Sequence, residues 1–542
     1  MTNIDSRSLR AAILDGDEIA VLDVREQGEF GACHLFHAVN APLSRIEIEV
    51  PRLVPRRATR VVVVSGGMSG LAERGARVLS GLGYSDITTH DDAPEDWEAA
   101  GFTLYSGINV PSKAFGEAIE HHFGTPSIDA QGLKAMQDRG DDLVILDSRT
   151  FAEYRNMNIP GGISVPGGEL AYRVRDLAPS PETTVVVNCA GRTRSIVGAQ
   201  SVINSGIPNK VVALENGTMG WHLAGLELEH GRTDRYPDGS PQSLDAALAM
   251  RDRVIRDYGI RNINRDKLAQ WQDEADRHTL YLLDVRDPAE FAAGHLPGAR
   301  SAPGGQLVQA TDFQIGVPQG RIVLTDDYGV RAAMTAHWLV QMGFPQVYVL
   351  TDGLTGVSER LEQGTESWSL ADRGPEIGVE ELSRSLDDGN TFVLDLGESR
   401  VYRTAHIPGA GWAVRSRIAE TGPELPATER LVLTSADSHL AHLAVSEAQA
   451  LTDADVLVLA GGTNAWQAAG YPVDADRYSP PDEACIDVYL RAYDRNTDVE
   501  KKMQEYIDWE VALIEQIEKD PDVNFRLGAA TVSVKKTVPG QE

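Results

Sequence analysis

A chain of four tandem α/β domains, each a parallel sheet flanked by helices, with a helical C-terminal tail, is predicted by three features of the sequence. Four segments share one pattern: VLDVREQGEF with Asp23, ILDSRTFAEY with Asp147, LLDVRDPAEF with Asp284 and VLDLGESRVY with Asp395. Eleven positions beyond each Asp stand His34, Asn158, His295 and His406; nineteen beyond the first three stand Pro42, Pro166 and Pro303. A second apolar run (RVVVVS, TVVVNC, RIVLTD, LVLTSA) ends at Ser65, Cys189, Asp326 and Ser435, forty-two positions beyond the Asp in three units and forty in the fourth. Chance does not hold several marks in register, so the chain is a repeat array.

Each element follows from local pattern. The Asp-terminated run is short and wholly apolar, as a strand buried on both faces requires, and a helical turn follows it. After the second strand comes a helix such as SIVGAQSVINSG, whose apolar face is Ile196, Val197, Ala199, Val202 and Ile203 and whose stop is Gly206. A third run (VVAL, VYVL, VLVL) leads into Gly-rich or Trp-bearing turns such as AGGTNAW, where Trp221, Trp412 and Trp466 read as core anchors. Alternating strands and helices make βαβ units. The domains are expected at 1–107, 124–232, 260–371 and 372–478, with helical linkers at 108–123 and 233–259 and the tail at 479–542. The tail's apolar residues (Met503, Tyr506, Ile507, Ala512, Ile514, Ile517) should pack on the domains or on another subunit.

Composition narrows the function. At 542 residues with a formal net charge of −30, the chain lacks the basic surface that nucleic acid or an anionic membrane needs. Three widely spaced cysteines make no disulfide framework, the N-terminus has no signal-peptide core, and no apolar run reaches the length of a span. A cytoplasmic protein is expected.

Ligands of an open parallel sheet sit beyond the carboxyl ends of its strands, so the residue after TVVVN is where chemistry belongs. There NCAGRTRS turns from strand to helix, offering unpaired backbone N–H groups and the positive end of a helix dipole. With Arg192 and Arg194 these should stabilise a Cys189 thiolate, depress its pKa well below about 8.5, and bind an anionic substrate. The competing reading is a small buried hydrophobe, the common fate of a free cysteine. Ser65, Asp326 and Ser435 at the equivalent positions argue that the fold does not need an apolar residue there.

The LDVR…EF…GHLPGA…AP series, the strand–Cys–loop–helix and the final GG…AW…G resemble the rhodanese-like sulfurtransferases, four times over. The resemblance implies covalent catalysis in which Cys189 takes the outer sulfur of a donor such as thiosulfate as a persulfide and passes it to cyanide or a thiol, with no metal or organic cofactor. It implies that Ala190, Gly191, Arg192, Thr193, Arg194 and Ser195 form the substrate loop. Asp147 and Arg149 match the family's Asp-x-Arg, either bracing that loop or making surface or interdomain salt bridges. The loop departs from many members in having Gly191 third and Arg192 fourth, and Asn158 replaces the usual His, which reads as structural. The spacing Cys189-x4-Arg194 favours sulfur transfer over the phosphatases and arsenate reductases, which resemble C-x5-R, and two arginines favour a dianion such as thiosulfate. The other three units read as non-catalytic. Cys33 and Cys485 read as packed side chains, and His121–His122 and the His439/His442 pair as solvated or capping histidines. Expected partners are a small anionic sulfur donor and a thiol or protein acceptor, with a possible homodimer. A persulfide carrier and a scaffold are the alternatives.

Overall fold

The structure, a computed structural model, describes residues 2–354, 362–364, 374–421 and 425–529. It contains four five-stranded parallel sheets, each with its strands in the spatial order first–fifth–fourth–second–third of its unit. The two predicted apolar strands are central. Asp23, Asp147, Asp284 and Asp395 close the second strands and pair in register with Val64, Asn188, Thr325 and Thr434, the residues just before Ser65, Cys189, Asp326 and Ser435. The common spacing in sequence is therefore a common register in space. The edge strands, such as Ser127–Ile128 and Gly162–Ser164, are two or three residues long, too short for a hydrophobic period to reveal. In the first unit DITTH forms the fifth strand, Asp86–His90. It is only half-buried, which is why its sequence lacks the apolar run of its counterparts.

The His/Asn position has a clear structural task. His34 lies in an antiparallel pair with Tyr105, and Asn158, His295 and His406 form isolated antiparallel bridges to Glu229, Glu362 and Asp474. The three imidazoles also stack on the aromatic ring four residues earlier. Asn158 keeps the bridge and donates its amide to the Tyr154 carbonyl, without the ring stack.

Trp221 and Trp466 are buried anchors whose indole N–H donates to the backbone carbonyl six residues on. Trp97 does the same in the first unit. Trp412 does not belong with them: it lies half-buried on a short edge strand, Gly411–Trp412, bonded to the Gly397 carbonyl. Its place in the repeat is that of Ser164, and the sequence period there carried no aromatic to signal the difference.

The helix Val110–Phe123 lies between the first and second sheets and Pro241–Asp257 between the second and third. The domain boundary expected at 371/372 lies outside the described residues, as do residues 530–542 of the tail. Units two and three meet where Gly167 and Gly168 lie against Gly304 and Gly305. Units one and four meet through Arg415 on Glu47 and Arg417 on Glu29.

The tail forms one long helix, Val499–Lys519, that packs back on this chain against Val110–Phe123. It buries Met503, Ile507, Leu513 and Ile517; Ala512, expected on the apolar face, is exposed, and Leu513 takes that place. The same face buries Glu510.

Candidate active site

Cys189 directly follows the strand Thr184–Asn188 and precedes the helix Thr193–Asn204, and it is 2% exposed. The Asp147–Arg149 pair sits inside the unit, beneath this strand end. Arg149 chelates the Asp147 carboxylate at 2.9 and 2.6 Å and donates to the Met157 carbonyl. Asn188 donates its side-chain amide to Asp147 at 3.2 Å, and the Ser148 hydroxyl donates to the Asn188 carbonyl at 2.8 Å. The geometry is thus a brace for the residue before Cys189. Asp23–Arg25 and Asp284–Arg286 repeat it, reaching the carbonyls of Cys33 and Gly294.

The loop's carbonyls are pulled to one side: Thr218 N–H donates to the Cys189 carbonyl at 2.8 Å and Met219 N–H to that of Ala190 at 3.0 Å. The amides of residues 190–194 donate to no acceptor among the described residues. They are the free donors of a loop opening a helix. The hold depends on Gly217, at φ +51°, where a Cβ would collide with the Cys189 carbonyl. Gly217→Ala is expected to displace the loop and to slow reaction of Cys189 with a sulfur donor, the chemistry that the sequence resemblance implies, about a hundredfold. Intact-protein mass after timed donor exposure measures it, with the unfolding midpoint as a check on the fold.

What such a loop accepts is visible in the third unit. There the carboxylate of Asp326, at the cysteine's position, takes hydrogen bonds from the amides of Tyr328, Gly329, Arg331 and Ala332. Asp326 therefore fills its own cradle with its carboxyl group. Arg331 stands five positions beyond Asp326, as Arg194 does beyond Cys189, and pairs with Glu290 as Arg194 pairs with Glu153. In the other units, Ser65 donates to Asp91, and the buried Ser435 hydroxyl has no partner among the described residues.

The two arginines of the Cys189 loop have different surroundings. Arg194 is held by Glu153 through two bonds of 2.8 Å. Glu153 belongs to a capping box with Thr150, and Arg194 is the main influence holding its carboxyl well below the usual range against the upward push of burial. Arg192 is turned onto Glu117 and Glu120 of the linker helix. Both guanidinium charges are offset by carboxylates, and the Cys189 thiol is shifted in the direction opposite to the one expected from the sequence, with burial as the largest cause. Burial pushes the Cys189 thiol up; Arg194 and the Ser195 hydroxyl and amide pull it down; Glu510 pushes it up again. The balance lies above the free thiol.

Sequence reasoning missed the contribution of the tail. Ala190 and Met219 share an apolar cluster with Ala492, Met503 and Ile507. Glu510 Oε1 accepts from the Thr193 hydroxyl at 3.0 Å, the Tyr506 hydroxyl at 3.1 Å and the Lys113 ammonium at 3.3 Å. Its other oxygen lies over Gly191, 3.1 Å from where a Cβ would stand. One signal was available: Glu510 interrupts the helical apolar stripe of Met503, Ile507, Ile514 and Ile517. Elsewhere, Cys485 is buried with its thiol toward the Pro481 carbonyl, and Cys33 is half-buried. His439 pairs with Asp437 and His442 with Glu376.

Comparison with known proteins agrees with this architecture. The family profile described as rhodanese-like domain matches residues 7–100, 129–224, 264–360 and 378–469. The crystal structure of a thiosulfate sulfurtransferase from Pseudomonas aeruginosa is 47% identical in sequence, with a TM-score of 0.91, covering 97% of this chain and 100% of its own. Thiosulfate sulfurtransferase GlpE of Pseudoalteromonas translucida is 27% identical over 101 residues, 18% of this chain and 93% of that protein. A putative sulfur carrier protein of Bacillus subtilis, YrkF, is 29% identical over 102 residues, 19% of this chain and 54% of that protein. No helix among the described residues is long and apolar enough to cross a membrane.

Proposed function

Because this chain belongs to the rhodanese-like family and is a sulfurtransferase of that type, we propose that its second unit moves sulfane sulfur through a persulfide on Cys189. The Cys189 sulfur attacks the outer sulfur of a donor such as thiosulfate, the donor's S–S bond breaks, and sulfite leaves with the bonding pair. The thiol's proton goes to the new persulfide or to water. In the second half-reaction cyanide or a thiolate attacks the outer sulfur, and Cys189 departs as a thiolate. Ala190 to Ser195 form the receiving loop, with its amides free to meet the donor's charge and Arg194 as the guanidinium beside the sulfur. Asp147 and Arg149 brace it. Three free cysteines suit a reducing cytoplasm.

The observation that carries this reading is the Asp326 loop. The same strand register and the same five-residue step to an arginine there wrap backbone amides around a carboxyl side chain. In the second unit the corresponding position holds a sulfur nucleophile. Intact-protein mass after brief thiosulfate treatment, followed by cyanide, tests it. Wild type is expected to gain one sulfur and release it as thiocyanate. Cys189→Ser is expected to gain none and to lose turnover by about a thousandfold or more. An adduct that persists in the variant would transfer the chemistry to Cys33 or Cys485.

A further inference from the structure

The carboxylate over the loop has one oxygen that receives no hydrogen bond among the described residues. Glu510 is 1% exposed, its Oε1 receives three donors, and its Oε2 has none. A buried acceptor left without a donor costs free energy, more so when it carries charge. Here that oxygen lies against the backbone of Gly191, the third residue of the loop, with the Tyr506 ring beside it. Lys113 offsets part of the charge through Oε1, but it does not supply Oε2 with a hydrogen. The loop therefore has two unlike neighbours: amides and Arg194 that welcome negative charge, and, 3.1 Å from where a Gly191 Cβ would stand, a carboxylate oxygen that lacks a donated hydrogen.

Thiosulfate matches only the first of these. It is a dianion with acceptor atoms alone, and bringing it beneath Oε2 sets like charges and lone pairs together. An organic persulfide matches both. Its sulfane sulfur and leaving sulfur suit the amide-lined loop, and an ammonium or N–H group on its carbon frame can donate to Oε2. Building on the sulfur-transfer reading, we infer that Glu510 is a specificity-determining residue that selects organic persulfides bearing an N–H donor over inorganic thiosulfate. The loading step balances without a redox partner. The Cys189 sulfur bonds to the outer sulfur of R–S–SH, the donor's S–S bond breaks, and R–S⁻ leaves and takes up the proton that the Cys189 thiol gave up. The products are the Cys189 persulfide and R–SH.

The test compares cysteine persulfide with thiosulfate as donors for the full-length protein and for Glu510→Gln. The glutamine keeps an oxygen for Lys113, Thr193 and Tyr506 and turns an amide N–H₂ toward the loop. The kcat/KM ratio of cysteine persulfide to thiosulfate is expected to fall at least about tenfold, through a gain for thiosulfate and a loss for the persulfide. Glu510→Asp, which draws the oxygen back by one methylene, should shift the ratio the same way by less. It serves as the test if the glutamine variant does not fold, as judged by its unfolding midpoint. A ratio unchanged within about twofold, or a parallel loss with both donors in a folded variant, would overturn the assignment while leaving Cys189 loading intact. Failure of both donors to load Cys189 in wild type would overturn the sulfur-transfer reading and this inference with it.

Discussion

Arg194→Met is expected to slow sulfur loading of Cys189 about a hundredfold and to destabilise the protein by about 3 kcal/mol, for two separable reasons. Arg194 is the guanidinium that pulls the Cys189 thiol toward ionisation, and its side chain is nearly buried against Glu153. Removing it takes charge from the cradle and strands a partly buried carboxylate. The double variant Arg194→Met/Glu153→Gln should recover most of the stability and none of the loading rate, which chemical denaturation and timed mass measurements separate. The stability difference should also depend on pH. The folded-state pKa of Glu153 is depressed below its ordinary value of 4.5. Its contribution is therefore fully present above that value and is lost as pH falls through the folded value. The gap between wild type and Arg194→Met should be widest near neutrality and narrow in acid. A gap independent of pH would mean that packing of the arginine stem, not its charge, holds the site.

Alkylation of Cys189 by iodoacetamide should keep rising through pH 9, by about tenfold per pH unit. A thiol whose pKa is raised is mostly protonated at neutral pH, so each unit of pH brings tenfold more thiolate until the raised pKa is passed. The free-thiolate cradle expected from the sequence would instead give a plateau below neutrality. Cys33 also has its thiol pushed up by burial, so the reaction is followed at each cysteine by peptide mass. A Cys189 rate that is flat between pH 6 and pH 9 would show that the loop amides outweigh burial. Under the expected result, the persulfide cycle relies on the donor's arrival to complete the electrostatics of the loop.

The repeat made most of the fold legible. Asp147 and Cys189 stand at fixed steps because strand register is a consequence of chain length between paired residues, and length is written in sequence. The central strands were legible because burial on both faces leaves nothing but apolar residues. The edge strands and Trp412 were not, since two residues carry no period and a half-buried position tolerates several side chains. Loop composition likewise placed a cysteine, free amides and two arginines at one strand end. It could not give the electrostatic sign of the site. That depends on Glu153, Glu117 and Glu120, which reach the arginines across 41, 75 and 72 positions of chain, and on Glu510, which arrives on a helix 317 positions beyond Thr193. By itself the sequence determined the sheet, its register and the position of Cys189 at a strand end, because these follow from local pattern and spacing. Only the tertiary structure decided which charges face the sulfur, because Coulomb interactions depend on distance in space and on burial, and neither is encoded in any single stretch of chain.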